Sequence, residues 1–337
     1  MRSIEEITTT ETIEWLLEKD NPSVRYLALT RLLNQPENDK EVLAAKQDIM
    51  KTGIVPEILE KQNDVCWGDP KKFYTEKYSG TVWQLIILAE LGADGENEQI
   101  KKACEFILDN SQDIESFGFA MNKGGKGPGG RHSEVIPCLT GNMVYSLIKL
   151  GMLEDQRVQR GIEWICKYQR SDDGISEQPE GWPYDRLEVC WGKHTCHMGV
   201  VKSLKALSAI PSDKRNNAIN ERINSLTEYI LTHHIHKKSH DLKSVSKPGW
   251  LKLGFPLMYQ TDILEILGIL TELGYHDPRM NEALEIVKNK RNTNNRWILE
   301  NTFNGKMIKN IEVKGKESKW ITLKALETLG RSSCFRN

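Results

Sequence analysis

A Leu-Gly pair closes an apolar helical pattern four times, at Leu91-Gly92, Leu150-Gly151, Leu273-Gly274 and Leu329-Gly330, so the chain must be assembled from repeated helical units. The steps between marks are 59, 123 and 56 residues, and the middle step is two periods. Its missing mark falls near Ala209-Ile210, where Pro211 and Ser212 stop the helix in place of glycine. Ahead of each mark apolar residues recur at three- and four-residue spacing, as in Val82, Leu85, Ile86, Leu88 and Leu91. After it comes a short acidic turn and a second amphipathic helix, predicted over 99–108, 157–168, 218–231 and 278–288.

Several second helices run into a polar tail with an aromatic or glycine: Lys61-Gln62 to Trp67, Ser111-Gln112 to Phe119, Tyr168-Gln169 to Gly174-Ile175, and Lys290 to Trp297. Helix, turn, helix and polar loop therefore form the unit. Residues 1–60 read as an atypical N-terminal helical repeat, with helices at Pro22 to Leu33, Glu41 to Met50 and Val55 to Lys61. No strand-period run of useful length interrupts the pattern, so the fold class is all-α and residues 1–337 read as one domain. An array of this kind reaches such a length without splitting.

Charge narrows the partners. Against 47 acidic side chains stand 46 basic ones, a net charge of -1, so no overall field favours nucleic acid or an anionic membrane. The start Met1-Arg2-Ser3-Ile4-Glu5-Glu6 lacks the apolar stretch of a signal peptide, and Leu85 to Leu91 is too short to span a bilayer. The expectation is a cytoplasmic protein, in which 7 cysteines are core residues, ligands or nucleophiles.

Cys190-Trp191-Gly192-Lys193-His194-Thr195-Cys196-His197 gathers four soft-metal ligands into eight residues, and Cys138 opens the corresponding helix one repeat earlier. In a continuous helix Cys190 and His194, and His194 and His197, would share a face while Cys196 points elsewhere. Cys66, Cys104, Cys166 and Cys334 are expected to be core or surface thiols. Upstream, Gly124-Gly125-Lys126-Gly127-Pro128-Gly129-Gly130-Arg131-His132 could cradle an anion, with Lys126, Arg131 and His132 adding charge. Its spacing is not that of a P-loop, and no nucleotide cofactor is expected. Asp262 is a candidate cavity acid or helix cap, and His240-Asp241 a candidate acid/base pair.

The tails resemble degraded forms of the glutamine-tryptophan repeats of squalene and oxidosqualene cyclases, and nearly the whole chain resembles the α/α-toroid superfamily of terpenoid cyclases and protein prenyltransferases. That likeness implies a ring of five to six helical hairpins around a central cavity. Inner helices would then begin near Tyr78, Cys138, Cys190, Tyr259 and Ser318, their first turns sharing one mouth. His194-Thr195-Cys196 is similar to the zinc-binding His-Thr-Cys of protein farnesyltransferase β subunits, with Cys138 matching the zinc cysteine. Ile136 stands where that family has its aspartate ligand. Cys196-His197-Met198-Gly199 is similar to the Cys-His-Gly element of lanthionine cyclases, which implies Cys138, Cys196 and His197 as a zinc trio. Arg131 and His132 match a basic pair that holds the diphosphate in prenyltransferases. Trp83, Trp191, Tyr259 and Trp320 would line the cavity and stack on an isoprenoid chain.

Neither the Asp-x-Asp-Asp acid motif of class II cyclases nor the Asp-Asp-x-x-Asp motif for magnesium occurs. Three functions remain: a prenyltransferase or noncanonical terpene cyclase acting on a hydrophobic or prenyl diphosphate-like molecule, a zinc-thiolate enzyme of lanthionine cyclase type, or a non-catalytic toroid that binds lipid or peptide. By the prenyltransferase likeness a protein partner is expected, or else a homo-oligomer.

Overall fold

The computed structural model describes residues 7–174, 177–192 and 194–332. Ile175 of the third tail, Lys193 and Cys334 lie outside the described residues. Helices dominate: α1 (Thr10–Leu16), α2 (Pro22–Leu27), α3 (Lys40–Ile49), α4 (Ile54–Leu59), α5 (Thr81–Glu90), α6 (Glu98–Asn110), α7 (Pro137–Lys149), α8 (Gln156–Tyr168), α9 (Glu188–Trp191), α10 (His197–Ser208), α11 (Asn217–Thr232), α12 (Ile263–Glu272), α13 (Asn281–Asn289) and α14 (Lys319–Arg331). Among the described residues the only sheet is a hairpin of β1 (Lys237–Lys238) and β2 (Asp241–Val245), which the sequence pattern did not reveal.

Burial separates two kinds of helix. Every residue of α5 is buried, and so is nearly every residue of α7 and most of α10, α12 and α14. By contrast α6 buries a stripe of Ile100, Ala103, Cys104, Ile107 and Leu108, and α8 one of Val158, Gly161, Ile162, Trp164 and Ile165. Helices apolar all round must sit inside, and helices with one apolar stripe must cover them. The inner helices pack in chain order, α7 between α5 and α10, then α10 on α12 and α12 on α14. Each outer helix lies on its inner partner: α6 on α5, α8 on α7, α11 on α10, α13 on α12. The helix N-termini are capped as the local sequence dictates, by Asn97 for α6, Asp155 for α8, Asn216 for α11 and Ser318 for α14.

The tails repeat one hydrogen-bonded clasp. The backbone N–H of Trp67, Phe119 and Trp297 donates to the hydroxyl of Thr81 (3.0 Å), Thr140 (2.9 Å) and Thr322 (3.0 Å) in the following inner helix. The indoles of Trp67 and Trp297 reach back to the carbonyls of Ile58 and Val287, both at 2.7 Å. Gln62 and Gln112 donate forward to the carbonyls of Gln99 (2.9 Å) and Arg157 (2.8 Å) in the next outer helix. One tail thus ties together its own outer helix, the next inner helix and the next outer helix. The main hydrophobic cluster runs without a break from Leu16 to Leu329. Among the described residues no helix is long and apolar enough to cross a membrane.

Candidate functional site

Two glycines bring the thiols together. A Cβ on Gly141 of α7 would stand 2.5 Å from the Lys202 carbonyl carbon and 2.6 Å from the Ser203 nitrogen of α10. One on Gly199 of α10 would meet the Pro137 ring of α7 at 2.8 Å. The first turns of α7 and α10 are therefore in backbone contact. Cys138 is the second residue of α7 and Cys196 the N-cap of α10, so the approach brings the two thiols near enough for Cys196 to act on Cys138.

Cys190 joins them from α9. Burial raises the Cys138 thiol above its ordinary value, and Cys196 and Cys190 raise it further. Burial and then Cys196 push Cys190 up to about 12. Burial also raises Cys196, but the N–H groups of Gly199 and Met198 in the first turn of α10 favour its charged form, as does Lys247. Of the three sulfurs, Cys196 has the most help in carrying negative charge.

The helical reading of the 190–197 run is corrected here. The α9 turn ends at Gly192, whose ψ of -160° is extended, and α10 starts afresh at His197. A Cβ at Gly192 would lie 2.5 Å from the Glu188 carbonyl, so only glycine allows this break without a shift. Cys190, His194 and His197 do not share a helix face, and His194 is exposed.

Aromatic rings wall the thiols. The Tyr74 hydroxyl is raised by burial and then by Cys138, Cys190, Tyr259 and Tyr78. Ring centroids of Tyr74 and Trp83 are 5.1 Å apart, of Tyr78 and Trp83 5.2 Å, of Tyr78 and Phe303 4.1 Å, and of Trp83 and Tyr259 6.3 Å. The Lys77 ammonium hangs over three of these rings, 4.7 Å from Tyr259, 5.2 Å from Tyr74 and 5.9 Å from Trp83. Tyr74, Lys77 and Tyr78 precede α5, Cys138 opens α7, and Tyr259 precedes α12. The N-terminal ends of three inner helices thus meet in one place.

His197, which follows Cys196 and opens α10, is stacked on Trp250 at 4.2 Å with 24° between planes. Both its ring nitrogens are buried without a hydrogen-bond partner. Burial, then His233 and Lys247, push its pKa down to about 3, so the ring is neutral. The His233 ring lies 5.6 Å away, its Nδ1 donating to the Tyr229 carbonyl (2.9 Å) and its Nε2 facing Asp173 Oδ1 at 3.4 Å.

Other expected residues lie elsewhere. Arg131 pairs with Glu134 at 2.6 Å, and His132 donates from Nδ1 to Asp113 at 2.7 Å while stacking on Trp182 at 4.3 Å. Lys126 is exposed on its glycine loop, and His240 is exposed at the hairpin turn. Asp262 caps α12: its two oxygens accept from the N–H groups of Glu265 and Gly254, both at 2.8 Å. Trp191 donates to the Val135 carbonyl at 3.4 Å and abuts Trp164, while Trp320 stacks on Phe255 at 4.2 Å. Both are core residues by burial.

Sequence reasoning passed over Tyr74 and Lys77, which lie in a loop without periodicity, and His233, the C-cap of α11. Among the described residues no three His, Cys, Asp or Glu side chains are grouped closely enough to hold a metal ion. No family model matches this chain, and no curated protein matches it significantly.

Proposed function

We propose that this chain is an α/α toroid of the prenyltransferase and terpenoid cyclase kind, an enzyme that works on an isoprenoid or similar hydrophobic substrate. The ring is supported by the chain-order packing of α5, α7, α10, α12 and α14, and by the 2.9 Å ion pair between Glu90 of α5 and Lys324 of α14, the first and last of them. The observation that carries the functional reading is the convergence of Cys138, Cys190 and Cys196 beside the rings of Tyr74, Tyr78, Trp83 and Tyr259. Rings give an apolar chain a surface on which to stack, and their π faces favour positive charge developing on it. The Lys77 ammonium is the cation nearest this wall and would meet an anionic head group. Arg131 and His132 are already engaged by Glu134 and Asp113. Cys196, at the N-terminus of α10 where the Met198 and Gly199 N–H groups favour its charge, is the sulfur best prepared to react as a thiolate. The free thiols of Cys66, Cys104, Cys138, Cys166, Cys190 and Cys196 suit a reducing compartment, and the proposed location is the cytoplasm.

Zinc is part of the proposal in kind. Thiols and a neutral imidazole are its usual donors, and one of the two unpartnered nitrogens of His197 is what a metal at Cys138, Cys196 and His197 would take up. The side chains as they stand do not close on one point, so no chemical step is routed through a metal. A bound zinc would supply thiolate stabilisation. This donor set also favours the second reading, a zinc-thiolate enzyme of lanthionine cyclase type.

Two measurements on the same preparation test these readings. Geranyl diphosphate should quench tryptophan emission saturably, and Tyr259→Ala should weaken that binding by about tenfold, the loss of one stacking partner. Elemental analysis should find zinc in the wild type and lose it in Cys138→Ala and His197→Ala. Zinc without diphosphate binding would support the second reading. Neither would leave a non-catalytic toroid.

A further inference from the structure

At the opposite ends of the inner helices lies a different kind of chamber. Buried charges form its floor: Lys202 pairs with Glu265 at 2.7 Å, Glu265 with Lys205 at 2.8 Å, Lys205 with Glu90 at 2.6 Å, and Glu90 with Lys324 at 2.9 Å. Against the cost of burial, the two carboxylates hold the Lys205 ammonium well above its ordinary value, and the lysines hold Glu265 down at about 2. Three ammoniums thus share two carboxylates.

Above this floor a cavity of about 510 Å³ opens between the last turns of α7, α10, α12 and α14, within the size range of small-molecule sites. A neighbouring cavity of about 1060 Å³ shares Arg31, Glu90, Tyr145, Lys149, Lys324 and Glu327 with it. The smaller cavity is lined by six basic side chains, Arg31, Lys149, Lys205, Arg215, Lys324 and Arg331, against four glutamates. Glu327 is 3.6 Å from Arg31. Lys149, on the last turn of α7, has no hydrogen bond or ion pair among the described residues, and burial followed by the charge of Arg31 lowers its pKa. Glu272 and Glu90 act on it in the opposite sense, but neither pairs with it directly, so the ammonium is left facing the cavity. The negative ends of the inner helices relieve part of the surplus, but none of their carbonyls bonds Lys149. The facing wall of α12 and its C-cap offers the apolar Leu264, Ile269 and Leu273, with the Glu272 carboxylate among them.

We propose that this chamber is a binding site for a small organic anion, a carboxylate or phosphate ester with an apolar body, whose head group sits between Lys149 and Arg31 and whose body lies along α12. The site is separate from the thiols and does not rest on the function proposed above.

Thermal shift and calorimetric titration of the whole chain, at constant ionic strength, test the proposal with four probes: inorganic phosphate, butyl phosphate, acetate and butyrate. Saturable binding with the butyl compound tighter than its inorganic or shorter counterpart is the expected result, and the better of the two head groups identifies the source. Lys149→Gln should weaken binding by about tenfold, the usual worth of one charge-assisted hydrogen bond. Glu272→Gln, which removes a carboxylate from the same wall, should tighten it. Both residues are exposed to the chamber, so neither variant should unfold the chain, and a urea titration confirms that. Absence of saturable binding for all four probes overturns the proposal, as does binding that neither variant alters.

Discussion

Asp262 is a carboxyl group almost wholly out of water, and burial lifts its pKa to about 7 even though two backbone N–H groups and the nearby Lys202 favour its charge. In the unfolded chain the same group titrates near 4. Between those values the folded chain holds a proton that the unfolded chain has released. The stability this contributes is complete below the unfolded pKa and is lost as pH rises through about 7. Relative to Asp262→Asn, which keeps a capping oxygen and does not titrate, wild type should lose about 2–3 kcal/mol between pH 5 and pH 8. Urea unfolding of both proteins at the two pH values measures it, and parallel pH dependence would show that the carboxyl is not the source. The sequence offered both of its roles, acid or cap. Glu265 three residues on has capping-box spacing, a signal that could have decided for the cap, although its carboxylate goes to Lys202 and Lys205.

At the scale of elements the closest joint is that of α7 and α10. Gly141→Ala would drive a methyl group into the Lys202 and Ser203 backbone, and overpacking of that kind costs about 1–3 kcal/mol. It should also part Cys138 from Cys196, so cross-linking of these thiols by a short bifunctional reagent should slow in the variant. The clasps make a second expectation. Thr322→Val leaves the buried N–H of Trp297 without its acceptor, at about 1–3 kcal/mol. Thr140→Val should cost a similar amount through Phe119, which a denaturant midpoint for each variant checks.

Helix spans were the most legible part of the chain, because inner and outer helices bury different fractions of their surface and so differ in pattern. The expected 157–168 and 218–231 fall within α8 and α11. The expected 278–288 was early by a short 3₁₀ turn at Pro278–Met280. The 190–197 run misled because ligand spacing suits a helix, whereas Gly192 breaks it. Cys138, Cys190 and Cys196 were legible as residues of interest. Of the rings around them Trp83 and Tyr259 were legible too, whereas Tyr74 and the Lys77 ammonium were not, since they reach the site through a loop whose course depends on distant contacts.

Across the whole molecule the charged floor joins four inner helices through buried ion pairs. Such pairs are costly to break from one side, since the partner is left charged and dry. Glu90→Ala removes the acid shared by Lys205 and Lys324 and should cost about 3–5 kcal/mol, read as a lower midpoint in urea. A sequence signal for this floor existed, in single charges set within apolar helices: Glu90, Lys202, Lys205 and Glu265.

The two ends of the described chain also meet. Thr12 of α1 donates to the carbonyl of Asn294 (3.2 Å), the Ile7 carbonyl accepts from Arg291 (3.2 Å), and the Arg296 guanidinium lies 4.1 Å over Trp15. During synthesis the first helix therefore leaves the ribosome long before its docking surface has been translated. Trp15 and its neighbours have no docking surface until almost every other helix has been made, so this joint can close only late in synthesis.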